Sequence, residues 1–275
     1  MEFGPCRGNP LVGITRGCGT RDDPYVIEGR EIRFDGLANT GIRIFDTTKH
    51  LLIRNSSIHG WPNSAIYVEN AKNIRIENSV IVNNGFGGIV AYSVDGLRLD
   101  TNFISRNRGS DAVFMTGVNI TIQNNLIEDN DATGIFLLGL RSLVIERNTV
   151  RNHVATGIVV DNFPQNARIK ANVIEGNAGG LAARIASGEV LDNNIFANQN
   201  FGLRYCVPPT INMTALHNWW GHSSGPSGVG NGTGQAIVSM GPSCGGVDFD
   251  PWRTTPNATA GSTLAPRSCQ SVLIC

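Results

Sequence analysis

The sequence predicts an all-β chain wound as a right-handed single-stranded parallel β-helix, a solenoid of about eight or nine coils with a cap at each end. Three observations predict it: a period of 23 residues, short apolar alternations inside each period, and Asn and Gly at fixed places between them. The residue that opens the alternation recurs at Ile53, Ile76, Leu99, Ile122, Ile145, Ile169 and Leu191. A second apolar position recurs at Ile58, Ile81, Ile104, Ile127, Val150, Ile174 and Phe196. Between the two stand Asn102, Asn125, Asn148, Asn172 and Asn194, with Ser56 and Ser79 in the first copies. A small residue then precedes an apolar one at Ala65-Ile66, Gly88-Ile89, Ala112-Val113, Gly134-Ile135, Gly157-Ile158, Gly180-Leu181 and Gly202-Leu203.

Each element has a physical reason. Alternations this short are brief strands with one face inside. No stretch is long enough for an amphipathic helix, which excludes helical solenoids, and a strict period is foreign to an ordinary β-sandwich. Coils stacked at the strand spacing of ~4.8 Å make a rod on the order of 40 Å long. Asn suits the bends because it tolerates left-handed backbone and its amide can bond to the Asn one rung away. Gly before the next strand serves a second bend.

Residues 1–24 are expected to cap the first rung, 25–221 to form the coils, and 222–275 to form a C-terminal cap or tail. The period fails at "HSSGPSGVGNGTG". Trp219 and Trp220 stand where the core must close and read as a lid, with a sugar platform as the rival use.

The cysteines lie only at the two ends: Cys6 and Cys18 in front, Cys206, Cys244, Cys269 and Cys275 behind. This placement suggests disulfides that pin the termini, with Cys6 to Cys18 the expected front bridge and the rear pairing open. No Cys-x-x-Cys occurs, so no metal site is expected. Sequons at Asn55, Asn119, Asn212, Asn231 and Asn257 agree with export, and the chain reads as extracellular or cell-surface. No signal peptide is visible in "MEFGPCRG". A net charge of zero with 16% charged residues leaves no basic footprint for nucleic acid. No apolar run reaches the ~20 residues of a membrane span.

The repeat, of the form IxNNxIxxNxxxGIxL, resembles those of the pectate-lyase-like superfamily of parallel β-helices. The entry "GTRDDPYVIEGREI" (19–32) resembles the start of secreted archaeal and bacterial β-helix proteins, including relatives of the periplasmic copper-maturation β-helix protein. The exit "HNWWGHSSGPSGVGNGTG" with "VDFDPW" (217–252) resembles their closing segment. The resemblance covers residues 19–252. It implies the fold and leaves the chemistry open, since the superfamily holds lyases, hydrolases, epimerases, adhesins and surface proteins. The Gly-His-Gly of polygalacturonase-like members and the Asp-Pro-His-Glu-Tyr of mannuronan epimerases are absent. An Arg-x-Lys match, Arg168-Ile169-Lys170, is accidental because Ile169 opens a rung.

One position after each opener come Arg54, Glu77, Asp100, Gln123, Glu146, Lys170 and Asp192, a ladder of surface charges. Glu77 and Asp100 would sit one rung apart, near the ~5 Å of paired carboxylates in retaining glycosidases. Arg106, Glu128, Asp129 and Arg151 form a second charged cluster that could hold uronic acid sugars or Ca²⁺; no other cofactor is expected. His50, His59, His153, His217 and His222 share no rung position.

A further outward strip is apolar: Tyr67, Val90, Tyr92, Phe114, Phe136, Leu138 and Val159. Three uses compete for it: the C-terminal 50 residues fold over it, it is an interface with a second copy or another protein, or it is an aromatic track for polysaccharide. Its aliphatic members suit protein packing better than sugar stacking. The sequence therefore points to a structural or adhesive protein that self-associates or docks at a cell surface or filament. The alternatives are a lyase or glycoside hydrolase acting on acidic polysaccharide, and a non-catalytic glycan-binding protein.

Overall fold

The computed structural model describes residues 13–264, and among these there is no helix, only strands. Each coil has three strand segments. One coil consists of Ile74–Glu77, Val80–Val82 and Ile89–Asp95, and the next begins at Arg98–Asp100. The three faces so formed are called first, second and third in that order. All neighbouring coils pair in parallel. Ile53, Ile76, Leu99, Ile122, Ile145 and Ile169 lie in one vertical column on the first face, each wholly buried. First and third faces merge into one 18-stranded sheet because Val113–Gln123 and Ile135–Glu146 run through the bend unbroken; the second face is a separate eight-stranded sheet. Every strand turns one face into the coil, and the stacked Ile, Leu and Val columns make that interior apolar.

Buried amides fix the corner between first and second faces. Asn102 donates its backbone N–H to Asn125 Oδ1 at 2.8 Å and its Nδ2 to the same oxygen at 3.0 Å. The same Nδ2 donates to the Ile76 carbonyl at 2.8 Å. The pattern repeats through Asn125, Asn148, Asn172, Asn193 and Asn218, with Ser56 and Ser79 starting the column. The left-handed backbone belongs to the residue before: Asn55, Asn78, Thr101, Asn124, Arg147, Ala171, Asp192 and His217 all have positive φ. One residue thus makes the bend and the next bonds across rungs, two tasks that the sequence pattern assigns to a single Asn.

The last rung departs from the expected register by one residue. Val190, not Leu191, continues the first-face column, Ile195 replaces Phe196 on the second face, and Asn193 replaces Asn194 in the ladder. The reason is a coil shortened to 21 residues between Asn172 and Asn193. Leu191 consequently aligns with Lys170, and Asp192 moves to the bend, though Lys170 still reaches it at 3.7 Å.

A second ladder, unforeseen in the sequence, runs at the next corner through Asn84, Asn107, Asn130, His153, Asn177 and Asn198. His153 therefore does share a rung position, with asparagines. Its Nδ1 accepts the Asn130 N–H at 3.4 Å, its own N–H donates to Asn177 Oδ1 at 3.0 Å, and Nε2 lies 3.2 Å from the Ile127 carbonyl. This ladder explains the recurrent glycine better than a bend does. Gly134 has ordinary backbone, but a Cβ there would lie 2.6 Å from both the Gly157 carbonyl and His153 Nε2. Close approach, not conformational freedom, excludes a side chain.

At the N-terminal end the segment before Tyr25 lies on the first coil, with Arg16 bridging Val26 in antiparallel fashion. At the other end the coils do not stop at residue 221. Gly234–Ser239 pairs in parallel with Leu203–Cys206, and Gly246–Asp248 with Asn212–Thr214. Trp220 accordingly lies inside, wholly buried, while Trp219 packs outside on Phe196 with ring centroids 5.0 Å apart; neither is a lid. Cys206 and Cys244 form a disulfide across this last coil, and Cys18 is also disulfide-bonded. Cys6, Cys269 and Cys275 lie outside the described residues.

Two predictions follow from the ladders. Asn125→Ala removes the acceptor of two Asn102 donors and the donor to the Leu99 carbonyl, all buried. It should lower unfolding stability by about 3 kcal/mol, whereas Asn152→Gly, at an exposed left-handed bend, should change it by less than ~1 kcal/mol; urea melts compare them. His153 is held down at about 4 by burial, while in the unfolded chain it protonates near ~6.5. The unfolded chain takes the proton first, so this contribution is intact above about pH 6.5 and lost as pH falls towards 4, at most roughly 3 kcal/mol. His153→Asn should abolish that part of the slope in urea midpoints taken from pH 7.5 down to about 4.5.

Candidate functional site

The third face carries a continuous ladder of aromatic rings. Its strands follow the small-apolar pairs, and alternate residues point outward in two columns. One column includes Arg43, Tyr67, Val90, Phe114, Phe136 and Val159; the other includes Phe45, Glu69 and Tyr92. Ring centroids step from Phe45 to Tyr67 at 5.6 Å, to Tyr92 at 6.0 Å, to Phe114 at 5.2 Å and to Phe136 at 5.6 Å. The first three steps are diagonal between columns; the last is a stacked pair at 22°. Phe45 belongs to the ladder although the sequence strip omits it, because diagonal neighbours come within ring reach only on the folded sheet.

Phe45 and Tyr92 are 39% and 40% exposed, Tyr67, Phe114, Phe136, Leu138 and Val159 are half-buried, and Val90 is buried. Polar groups flank the rings. The Arg43 guanidinium sits 4.8 Å over Phe45, the Tyr67 hydroxyl donates to Glu69 at 3.0 Å, and Arg184 pairs with Asp161 at 3.3 Å. Burial, and then the hydrogen bond to Glu69, push the Tyr67 phenol above its usual range. Phe114 and Phe136 stack on one another and the Arg43 guanidinium lies over Phe45, so part of the ring faces is used within the ladder. A sugar stacks on a ring face, so this arrangement favours a protein surface over a glycan track.

As far as it is described, to Leu264, the C-terminal segment does not cover this ladder. It runs back along the second face instead. Arg253 pairs with Asp192 at 2.7 Å, Asn257 exchanges bonds of 2.7 and 3.0 Å with Asn194, and Gly261 donates to the Ala171 carbonyl at 2.8 Å. Ser262 then donates to the Asn124 carbonyl at 2.7 Å, and Leu264 packs on Val80, Val82, Phe103 and Leu126. A tail does cover an apolar strip, but a different one. Among the described residues nothing lies across the rings. The segment also buries Asn257, whose Nδ2 donates to the Asp192 carbonyl at 2.7 Å, so this sequon has no room for a glycan in the folded chain. Asn55, Asn119, Asn212 and Asn231 are exposed.

The candidate carboxylates are all engaged. Asp100 stacks on Glu77 as foreseen, but Glu77 is hydrogen-bonded to Arg75, and Asp100 accepts from Arg98 at 2.7 Å, Thr101 and Gln123 at 2.9 Å, and Asn124 at 3.0 Å. Burial pushes the Asp100 carboxyl up, yet the hydrogen bonds from Arg98, Asn124 and Thr101 outweigh it and hold the group below its usual range. A retaining pair needs one carboxyl raised enough to act as the acid, whereas Asp100 is held down and Glu77 is taken up by Arg75. The second cluster divides. Glu128 is buried on the second face against Arg151, with contacts of 2.8 and 2.7 Å, and Arg151 reaches Glu175 at 3.6 Å. Arg106 and Asp129 occupy left-handed bend positions, where Asp129 accepts from Asn152 at 3.1 Å. With Glu128 committed to a guanidinium, the cluster is poorly set for Ca²⁺. Asp111, which the sequence does not single out, is raised by burial and accepts from the Thr133 N–H at 3.2 Å.

Fold and site define a class: a β-helix solenoid that displays an aromatic ladder and whose candidate carboxylates Glu77, Asp100 and Glu128 are paired with arginines of the same or the next rung. The chain belongs to the right-handed β-helix family, whose model, described as "Right handed beta helix region", matches residues 40–201. Among solved structures it is similar to the periplasmic alginate epimerase AlgG at 12% identity, covering 77% of this chain and 54% of that one, with a TM-score of 0.49. It is also similar to the A-module of the Azotobacter vinelandii mannuronan C-5 epimerase AlgE4 at 12% identity, covering 88% and 81%, with a TM-score of 0.47. The chain thus spans about half of the first of these, and the likeness is one of fold. A comparison with curated protein sequences finds no match.

Proposed function

We propose that this chain is an extracellular structural or adhesive β-helix that associates through its third face, with a second copy of itself as the first partner. The observation that carries the reading is the ladder from Phe45 to Phe136, continued by Leu138 and Val159, which no described residue covers. An apolar strip of this extent on a flat parallel sheet is costly to leave in water. Its ring edges and aliphatic members suit close packing against another protein, and the flanking Arg43, Glu69 and Asp161 give it a polar rim. The ion-paired carboxylates favour a scaffold over a hydrolase. The disulfide Cys206–Cys244 supports an oxidising compartment.

Phe136→Glu places a charge at the centre of the strip. Light scattering over a concentration series should show the native chain assembling and Phe136→Glu shifted towards monomer by about tenfold or more in concentration. A native chain that stays monomeric at the highest concentration, with the variant no different in solubility or stability, would remove the interface.

The enzymatic reading keeps a definite test. Acidic polysaccharides are incubated with the protein and assayed for reducing ends and unsaturated products. No cleavage is expected; cleavage abolished by Asp100→Asn would replace the adhesive reading with a lyase or hydrolase.

A further inference from the structure

The outward charges of the third face are not spread evenly; they stand at matching distances on either side of its central rings. Phe114 and Phe136, stacked on neighbouring rungs, mark that centre. Tyr92 lies one rung before Phe114 and Glu69 two rungs before it. Asp161 lies one rung after Phe136 and Arg184 two rungs after it. Glu69, Tyr92, Asp161 and Arg184 belong to one outward column, whereas Val90, Phe114, Phe136 and Val159 belong to the other. Glu69, Tyr92 and Arg184 are exposed, and no described residue covers them.

A second rod, rotated half a turn about an axis along the strands, keeps each column facing its own kind and brings rungs before the centre onto rungs after it. With the axis between the Phe114 and Phe136 rungs, Glu69 meets Arg184 of the second copy and Tyr92 meets its Asp161. Phe114 meets Phe136 of that copy, and Val90 meets its Val159. All eight rungs from Arg43 to Arg204 then overlap. Strands ~20 Å long across eight rungs ~38 Å deep cover about 760 Å², close to the ~800 Å² per partner of a stable interface. The like-charged meeting, Arg43 with Arg204, falls at the two ends, where both are exposed and solvent screens them.

Other arrangements leave charges opposed or unanswered. Moving the axis to the Phe114 rung sets Glu69 against Asp161 in both halves. Rods laid together in the same direction place each rung on itself. Glu69 then meets only the Tyr67 hydroxyl, Asp161 meets Val159, and Arg184 meets Ala182, so no charge gains a counter-charge. We propose that the third face pairs with a second copy in the antiparallel sense, with Glu69 and Arg184 in trans as the pair that sets the register. This rests on the third-face association proposed above and adds its direction. Both groups have capacity for the contact. Within one chain Glu69 accepts from the Tyr67 hydroxyl at 3.0 Å and Arg184 reaches Asp161 at 3.3 Å, which leaves further lone pairs on the carboxylate and further N–H donors on the guanidinium. Complementary charges of this kind fix orientation mainly by penalising the wrong one.

Sedimentation of the full chain tests this. Glu69→Arg alone and Arg184→Glu alone should each weaken self-association by about tenfold or more. An equimolar mixture of the two should recover the native strength to within about threefold, because the mixed pair restores both trans contacts. Within one chain the two residues stand five rungs apart, ~24 Å, so no intrachain contact can produce the recovery. A short bismaleimide gives a second measurement without charge-reversed variants. It should join Glu69→Cys in one chain to Arg184→Cys in another, and it should not join Glu69→Cys to itself. In a chain that associates and that Phe136→Glu disperses, failure to recover on mixing, or self-joining of Glu69→Cys, overturns the antiparallel register and leaves the third-face association standing. A native chain that stays monomeric removes that association and this proposal with it.

Discussion

The chain can turn its corners inside an apolar rod only because buried amides bond from rung to rung. Each bend tilts backbone groups out of the strand ladder, where an unpaired donor or acceptor costs about 1–3 kcal/mol. The Asn side chain answers this with two donors and one acceptor of the right reach. It closes on the next Asn and on a carbonyl of the strand before, as Asn102 does with Asn125 and Ile76. The requirement recurs at two corners of each coil, so slipping the register by one residue would break both columns and turn the apolar face outward. Register is therefore held by polar groups, while the Ile columns supply the driving force.

Everything on the surface inherits that register. Residues one period apart become vertical neighbours, so like-placed side chains form ladders whether they are rings or charges. On the third face this stacks Phe45, Tyr67, Tyr92, Phe114 and Phe136 into one strip. On the first and second faces it brings Arg54 onto Glu28 and Arg151 onto Glu128. Neutralisation by a stacked or nearby guanidinium is what turns these carboxylates from reactive groups into supports. The C-terminal segment uses the same periodicity in another way, bonding to successive rungs as it climbs the second face.

The period, the inward columns and the first amide ladder were legible because they repeat in type as well as place. What blurred was blurred by particular residues. One short coil displaced Leu191, Phe196 and Asn194 by a single position. The second ladder was masked because Trp61 stands at its head and His153 interrupts it, so its column does not read as Asn throughout. The last coil was hidden by glycines and prolines that end the apolar alternation, although backbone pairing continues to Asp248. Glu77 and Asp100 were rightly placed one above the other, but Arg75 and Arg98 stand two residues before them and reach back only on an extended strand.

The sequence by itself determined the winding of this protein, because winding depends on which residue types return at a fixed interval, and an interval is a property of the chain. Only the tertiary structure decided which outward strip stays open, which carboxylates are tied up, and where the tail lies. Those outcomes depend on contacts between segments as far apart as Asn124 and Ser262, whose meeting is set by shape and competing hydrogen bonds with no periodic mark in the sequence.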